Sequence, residues 1–397
     1  MGGSTGSRRP NLGSSLARMP ASPDNILILG VAKTGSTGLY NNVKAALADA
    51  GHDYYCLFEP TRPDQLHSID RYAPAVPVLT KVMIAREPDL QVRYERFPRR
   101  LTLLRDPRDM IVSFLLFRPF IRADVPSTQV EPFVAAIRAK ERDPASVSVQ
   151  ALHRLADDLG LASYRLERVV EFMEWQEALI DRHDVFTIRY EDFIAGRLDE
   201  LSAYLGIAVG NSAAASPWLA HILRSGESGD WRHWFTEDDV TAYRPYVTRY
   251  MKRFEYPDDW LLADAPIINS ETASGYIEGK YRSRRRQQQQ RRNGLTLDAD
   301  APAQRDHMEH LAEDGHSQAM YRLAKAAVGG TGDPTRAFRL AHRAAVQGHR
   351  PAMRLLAELY SRGHGVDADE GQAGFWAAEG AGEQRQRGGL RRLLGRR

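Results

Sequence analysis

The chain opens without hydrophobic periodicity. Residues 1–23 are dominated by Gly, Ser, Pro and Arg, a composition that predicts disorder. From Asp24 short apolar runs alternate with amphipathic stretches. Asn25-Ile-Leu-Ile-Leu-Gly-Val-Ala32 reads as a buried strand, followed by a Gly-Ser-Thr-Gly turn and a helix from Leu39 that stops at Gly51. Further strands are predicted over 53–58, 76–85, 101–104 and 185–190, and helices over 128–142, 147–160, 163–183 and 199–206. Short apolar strands between helices predict an α/β fold with a central, mainly parallel sheet covered on both faces.

Regularity ends near Ser270. The segment Lys280-Tyr-Arg-Ser-Arg-Arg-Arg-Gln-Gln-Gln-Gln-Arg-Arg292 is low-complexity and reads as a linker, with a basic helix as the alternative. Beyond it a repeat begins: Gly315-His316-Ser-Gln-Ala319-Met320 returns as Gly348-His349-Arg-Pro-Ala352-Met353, a spacing of 33. Each copy continues as helix, Gly-rich turn and helix, so a small all-α module follows the α/β body. Over about 305–382 the pattern resembles Sel1-like repeats, relatives of the tetratricopeptide family. Two copies are few for a solenoid, which stabilises by stacking neighbours. They call for a cap from the body, the linker or another chain. The module then either docks a protein partner, self-associates or stabilises the body. The expected division is 1–23 disordered, 24–268 α/β body, 269–303 basic linker, 304–383 helical repeats and 384–397 basic tail.

Composition changes this picture little. The longest apolar stretch near the start is far shorter than the roughly 20 residues that span a bilayer, and Arg8-Arg9 leads into no apolar run, so neither a transmembrane segment nor a secretory signal is expected. The single cysteine, Cys56, allows no intrachain disulfide and fits a reducing, cytoplasmic setting. The net charge of +3 hides an asymmetry. Residues 280–292 carry seven basic side chains and 384–397 carry six, neither with an acid; the remainder has 41 basic against 51 acidic groups. The basic segments read as solvated linker and tail, or as contacts for nucleic acid, anionic lipid or an acidic partner.

The chemistry starts at Gly30-Val-Ala-Lys33-Thr34-Gly35-Ser36-Thr37-Gly38, between a strand and a helix. Backbone amides of such a turn and the positive end of the helix dipole form an anion cradle. A nucleotide triphosphatase or kinase places lysine just after the second glycine and a metal-binding hydroxyl next. Here Ser36 follows Gly35 and the lysine comes earlier, at Lys33. No acidic strand end suited to a metal is evident beside it. The alternatives are a ligand-free strand–helix turn and an NTPase.

The turn resembles the 5′-phosphosulfate loop of sulfotransferases that use 3′-phosphoadenosine-5′-phosphosulfate (PAPS), with a P-loop-like fold. Leu101-Thr-Leu-Leu-Arg105-Asp-Pro-Arg-Asp-Met-Ile-Val-Ser113 is similar to that family's 3′-phosphate motif, and Arg224-Ser225-Gly226-Glu-Ser-Gly229-Asp230-Trp231-Arg232 to its late Arg-Lys-Gly…Gly-Asp-Trp-Lys motif. The resemblance spans 24–257 and implies binding of PAPS and its product PAP by Lys33, Thr34, Gly35, Ser36, Thr37, Gly38, Arg105, Ser113, Tyr190, Arg224, Ser225 and Gly226, without a metal. Asp106-Pro107 supplies an N-cap and first-turn proline, so Arg105 and Ser113 can converge on one phosphate; a salt bridge from Arg105 to Asp106 or Asp109 is the structural alternative. Tyr190 matches the adenine-contacting tyrosine or is a core aromatic. Gly38 departs from the tryptophan that cytosolic members place there.

Lys33 is expected to neutralise charge on the bridging oxygen. The base is less direct. Cytosolic members use a histidine where this chain has Leu79-Thr80-Lys81-Val82-Met83, without one. Heparan-type and tyrosyl-protein members use a glutamate at the end of the second strand. Glu59 stands there, 26 residues past Lys33, and is the expected base, with His52 and His67 as alternatives. The acceptor is a hydroxyl or amine, leaning towards a carbohydrate or glycolipid. An inactive adaptor built on the repeats is the remaining reading.

Overall fold

The computed structural model describes residues 24–73, 76–120, 125–161, 166–210, 226–292, 302–330 and 332–381. The expected disordered start, the basic tail, Arg224 and Ser225 lie outside them. Five parallel strands, β1 (Ile26–Gly30), β2 (Tyr55–Phe58), β3 (Val78–Met83), β4 (Arg99–Leu104) and β5 (Phe186–Arg189), form one sheet in the order β2-β3-β1-β4-β5. In chain order the helices of the body are α1 (Ser36–Asp49), α2 (Pro63–Tyr72), α3 (Glu87–Leu90), α4 (Pro107–Phe117), α5 (Ser127–Arg142), α6 (Val149–Asp158) and α7 (Leu166–His183). They continue as α8 (Tyr190–Ile194), α9 (Asp199–Leu205), α10 (Trp231–Trp234), α11 (Glu237–Arg253) and α12 (Ser274–Arg292). The α/β class, the parallel sheet and its strands follow the sequence pattern.

All five residues of β1 are buried, as a strand covered on both faces requires. Ile26 and Ile28 pack with Leu39, Tyr40 and Val43 of α1 and Leu201 of α9, whereas Leu27 and Leu29 pack with Leu66 and Ile69 of α2 and Phe172 of α7. Each such side chain contributes about 1.5–3 kcal/mol on burial. The chain turns left from β1 towards β3 and β2, and right from β4 towards β5. The two directions part between β1 and β4, and ligand crevices in open parallel sheets form at the carboxyl ends of strands at such a reversal.

The basic run 280–292 is helical. Ala273, Ile277 and Tyr281, at i and i+4 spacing, turn one face inwards; the first two join the cluster of α4, α5, α6 and α11, and Tyr281 Oη donates to Val125 O at 3.0 Å. Lys280 Nζ lies 4.7 Å from the Tyr276 ring centroid. Burial pulls its ammonium down to about 8, and the nearby Arg284 adds to the effect.

The C-terminal helices are α13 (Pro302–Glu313), α14 (Ser317–Gly329), α15 (Pro334–Val346), α16 (Arg350–Arg362) and α17 (Glu370–Gly380). The repeat is visible in them: Gly315 and Gly348 both take left-handed backbone, His316 and His349 are the N-cap residues of α14 and α16, and Ala319, Met320, Ala352 and Met353 are buried. These helices do not stand apart. Met308, Ala312, Met320, Val346 and Trp376 share one apolar cluster with Leu57 of β2 and Leu66 and Ile69 of α2. Tyr55 Oη and His342 Nδ1 lie 3.1 Å apart, Arg343 donates to Tyr54 O at 3.1 Å, and Glu379 accepts from Arg71 and Tyr72 at 2.7 Å. The body itself is therefore the cap that a two-copy array needs.

Candidate active site

The carboxyl ends of β1 and β4 carry the first two expected segments. The turn after β1 holds Lys33 at φ +66 and Gly35 at φ +88, and α1 starts at Ser36 with no side-chain cap over its first amides. Uncapped first-turn amides attract an anion. The Thr34 hydroxyl donates back to Val31 O at 3.0 Å and Ser36 Oγ lies 3.5 Å from the same oxygen, so both fix the turn. A Cβ on Gly35 would lie 2.7 Å from the Tyr190 ring, so packing as well as φ requires glycine there. A Cβ on Gly38 would lie 3.3 Å from Phe193, the aromatic ring that fills this side of the turn.

Arg105 follows directly on β4 and reaches the turn after the neighbouring strand β1. Its Nη1 donates to Lys33 O at 2.9 Å, and its guanidinium stacks 4.3 Å from the Tyr190 ring centroid. It makes neither of the salt bridges considered for it. Asp106 caps α4 through Arg108 N and pairs with the Arg108 guanidinium at 2.6 Å, while Asp109 is taken by backbone amides. Arg105 is 6% exposed, and among the described residues its Nε has no hydrogen-bond partner. A buried donor of this kind calls for an acceptor. Ser113 is buried two turns into α4 and takes part in none of these contacts.

A second group forms on the other side of the turn. Glu59 follows β2 at φ +48, and its Oε1 accepts from Lys81 Nζ at 2.6 Å. The same ammonium donates to Thr37 Oγ1 at 2.9 Å and lies 4.6 Å from the Phe58 ring centroid. Lys81 is 2% exposed, whereas the Glu59 side chain is 40% exposed. Burial pulls the Lys81 ammonium below its ordinary range, and Glu59 works against that shift. Lys81 carries no expectation from the sequence, where this strand stands out only for lacking a histidine. A lysine inside the run Val-Leu-Thr-Lys-Val-Met was the available signal, since lysine is almost never buried unless paired. Of the alternative bases, His52 precedes β2 at the opposite end of the sheet, and His67 on α2 lies 3.3 Å from Gln91 O.

The late segment approaches through Asp109. Gly229 N and Trp231 N donate to its two carboxylate oxygens at 2.7 and 3.0 Å. Burial pushes the Asp109 carboxyl up, and Arg105 and the two amides draw it back. Gly226, at φ +70, opens this described stretch. Glu191, beside Tyr190, accepts from Asp106 N and from Tyr256 Oη, both at 3.2 Å, and burial pushes its carboxyl up.

Lys33, Gly35, Arg105 and Tyr190 thus form one contiguous set and Thr37, Glu59 and Lys81 another, one on each flank of the same turn. Neither a protein-family model nor a curated protein matches the chain.

Proposed function

We propose that the chain is a sulfotransferase of P-loop-like fold, moving a sulfuryl group from PAPS to a hydroxyl or amine of a carbohydrate or similar acceptor. The observation that carries this is the meeting of Arg105, from the end of β4, with Lys33 and Tyr190 at the β1 turn, leaving a buried guanidinium N–H for an anion. Phosphate suits that donor, because the planar guanidinium binds it through parallel hydrogen bonds. Uncapped amides at Ser36 suit the 5′ end of the same nucleotide.

PAPS would supply the sulfuryl group on a good leaving phosphate. Lys33, on the turn itself, neutralises charge on the leaving oxygen. Glu59 accepts the acceptor's proton: with Oε1 held by Lys81, Oε2 is the oxygen that faces this task. The ammonium partner holds the carboxylate in one orientation. Thr37 and Glu59 share Lys81, which sets the base beside the turn. A single cysteine, Cys56, with no intrachain disulfide open to it fits a reducing, cytoplasmic setting.

Titration calorimetry with PAP and with Mg-ATP, followed by transfer from radiolabelled PAPS to glycans, glycolipids, phenols and peptides, tests the reading. Heat with PAP and none with ATP is expected. Binding of ATP with hydrolysis, or no heat with PAP, overturns it.

A further inference from the structure

The loop between α13 and α14 reaches the end of β2. Phe58 N–H donates to Asp314 O at 3.1 Å, and the Asp314 carboxylate pairs with Lys44 of α1 at 2.7 Å. Gly315, at φ +86, approaches so closely that a Cβ would lie 1.8 Å from Cys56 O. Only glycine meets both conditions. The residue after Phe58 is Glu59, itself in left-handed backbone, which costs a non-glycine residue about 1–3 kcal/mol and persists only where its surroundings over-determine it. Two bonds supply this: Glu59 N–H donates to Lys81 O at 2.9 Å on the inner side, and Asp314 O holds Phe58 on the outer side. His316, the N-cap of α14, comes next in the same loop. Burial lowers its imidazole, while the Asp314 and Glu59 carboxylates pull it up, so the loop lies within the field of Glu59.

We propose that the turn Asp314-Gly315-His316 is a positioning element for Glu59, clamping the last residue of β2 and so fixing where the carboxylate meets the acceptor. This rests on the reading of Glu59 as the base. The C-terminal helices then belong to the reaction as well as to the stability of the body. The clamp sits on β2, with β3 and β1 between it and the strand that leads into Arg105, so it acts on turnover and leaves the Arg105 contact to the nucleotide alone.

Deleting the helices would strip the shared apolar cluster and report only on folding, so point variants of the full chain are used. Lys44→Ala releases Asp314 and Gly315→Ala pushes the turn off Cys56. Glu379→Ala loosens the helices at their far contact with Arg71 and Tyr72 and serves as the control. Turnover is counted per PAP-binding site, which a purely stabilising role would not change, and exchange of the Phe58 amide hydrogen is followed alongside. Small misplacements of a reacting group cost up to about 100-fold, so kcat per site is expected to fall about 10-fold in Gly315→Ala and several-fold in Lys44→Ala. The affinity for PAP should stay within about twofold, and Phe58 exchange should rise in both variants and not in Glu379→Ala. If Gly315→Ala does not fold, Lys44→Ala carries the test. Unchanged turnover per site with faster Phe58 exchange overturns the proposal, as does an equal effect of all three substitutions. Absence of PAP binding by the wild-type chain would instead sink the transferase reading, and unchanged Phe58 exchange in Lys44→Ala would sink the clamp alone.

Discussion

Lys81 Nζ lies 2.6 Å from Glu59 Oε1, joining the residue after β2 to the neighbouring parallel strand β3 by an ion pair with one partner buried and the other partly in solvent. Removing one member of such a pair is more harmful than never having it, because the buried ammonium keeps its desolvation cost without its counter-charge.

Glu59→Gln should keep the affinity for PAP and lose turnover by about 100-fold or more, since the amide fills the same space but accepts no proton. Single-turnover kinetics with calorimetry separates the two effects. Near-normal turnover removes Glu59 from the role.

Arg105→Ala should weaken PAP binding by about 10–100-fold, the worth of charge-assisted hydrogen bonds to phosphate. Arg105→Lys should restore little of it, because a lysine has no planar fork and a poorer grip on Lys33 O and the Tyr190 face. Full affinity in the lysine variant would argue that only charge matters there.

Asp109→Asn replaces a double acceptor by a single one, and one of the Gly229 and Trp231 amides loses its partner. A buried amide left unpaired costs about 1–3 kcal/mol. We expect a lower melting temperature together with weaker PAP binding, because the late segment loses its tie to α4. A drop in stability with unaltered PAP affinity would separate that segment from the nucleotide.

Stability should carry a signature of Lys280. Its ammonium is pulled down to about 8 in the fold, below the ordinary lysine value of 10.5 that the unfolded chain keeps. The unfolded state therefore binds more protons between these values, and stability attributable to this group rises as pH climbs through that window. Lys280→Met should stabilise the chain at pH 7, by about 1 kcal/mol after the lost contact with the Tyr276 ring is offset. The advantage should shrink by pH 10. Denaturant melts of both chains across this range check it, and a constant difference would contradict the shifted ammonium.

Local features of the sequence carried much of this. The β1 run, the Asp106-Pro107 cap and the glycine-led helices at Gly315 and Gly348 rest on residues a few positions apart, which pattern reading handles well. The base and its partner did not emerge together, because Glu59 and Lys81 meet only when two strands pair in register. Asp109 reads in sequence as an ordinary first-turn acid, and nothing local announces that it accepts from Gly229 and Trp231. The basic run 280–292 was ambiguous because its charge argues for solvent, while the helical spacing of Ala273, Ile277 and Tyr281 lies mostly before it. The repeat likewise shows its turns, though not that Gly315 faces Cys56 O and Gly348 faces Ser68 Oγ.

The joint apolar cluster of β2, α2 and the last helices has a consequence for how the molecule is made. Residues 302–381 leave the ribosome after the sheet's own strands, so for a time the outer rim of β2 has no neighbour and its underlying side chains meet water. Unprotected strand rims recruit other chains. Synthesis of residues 302–381 is thus the step that covers the outer edge of β2, and a message truncated within it should yield aggregates rather than a smaller folded protein.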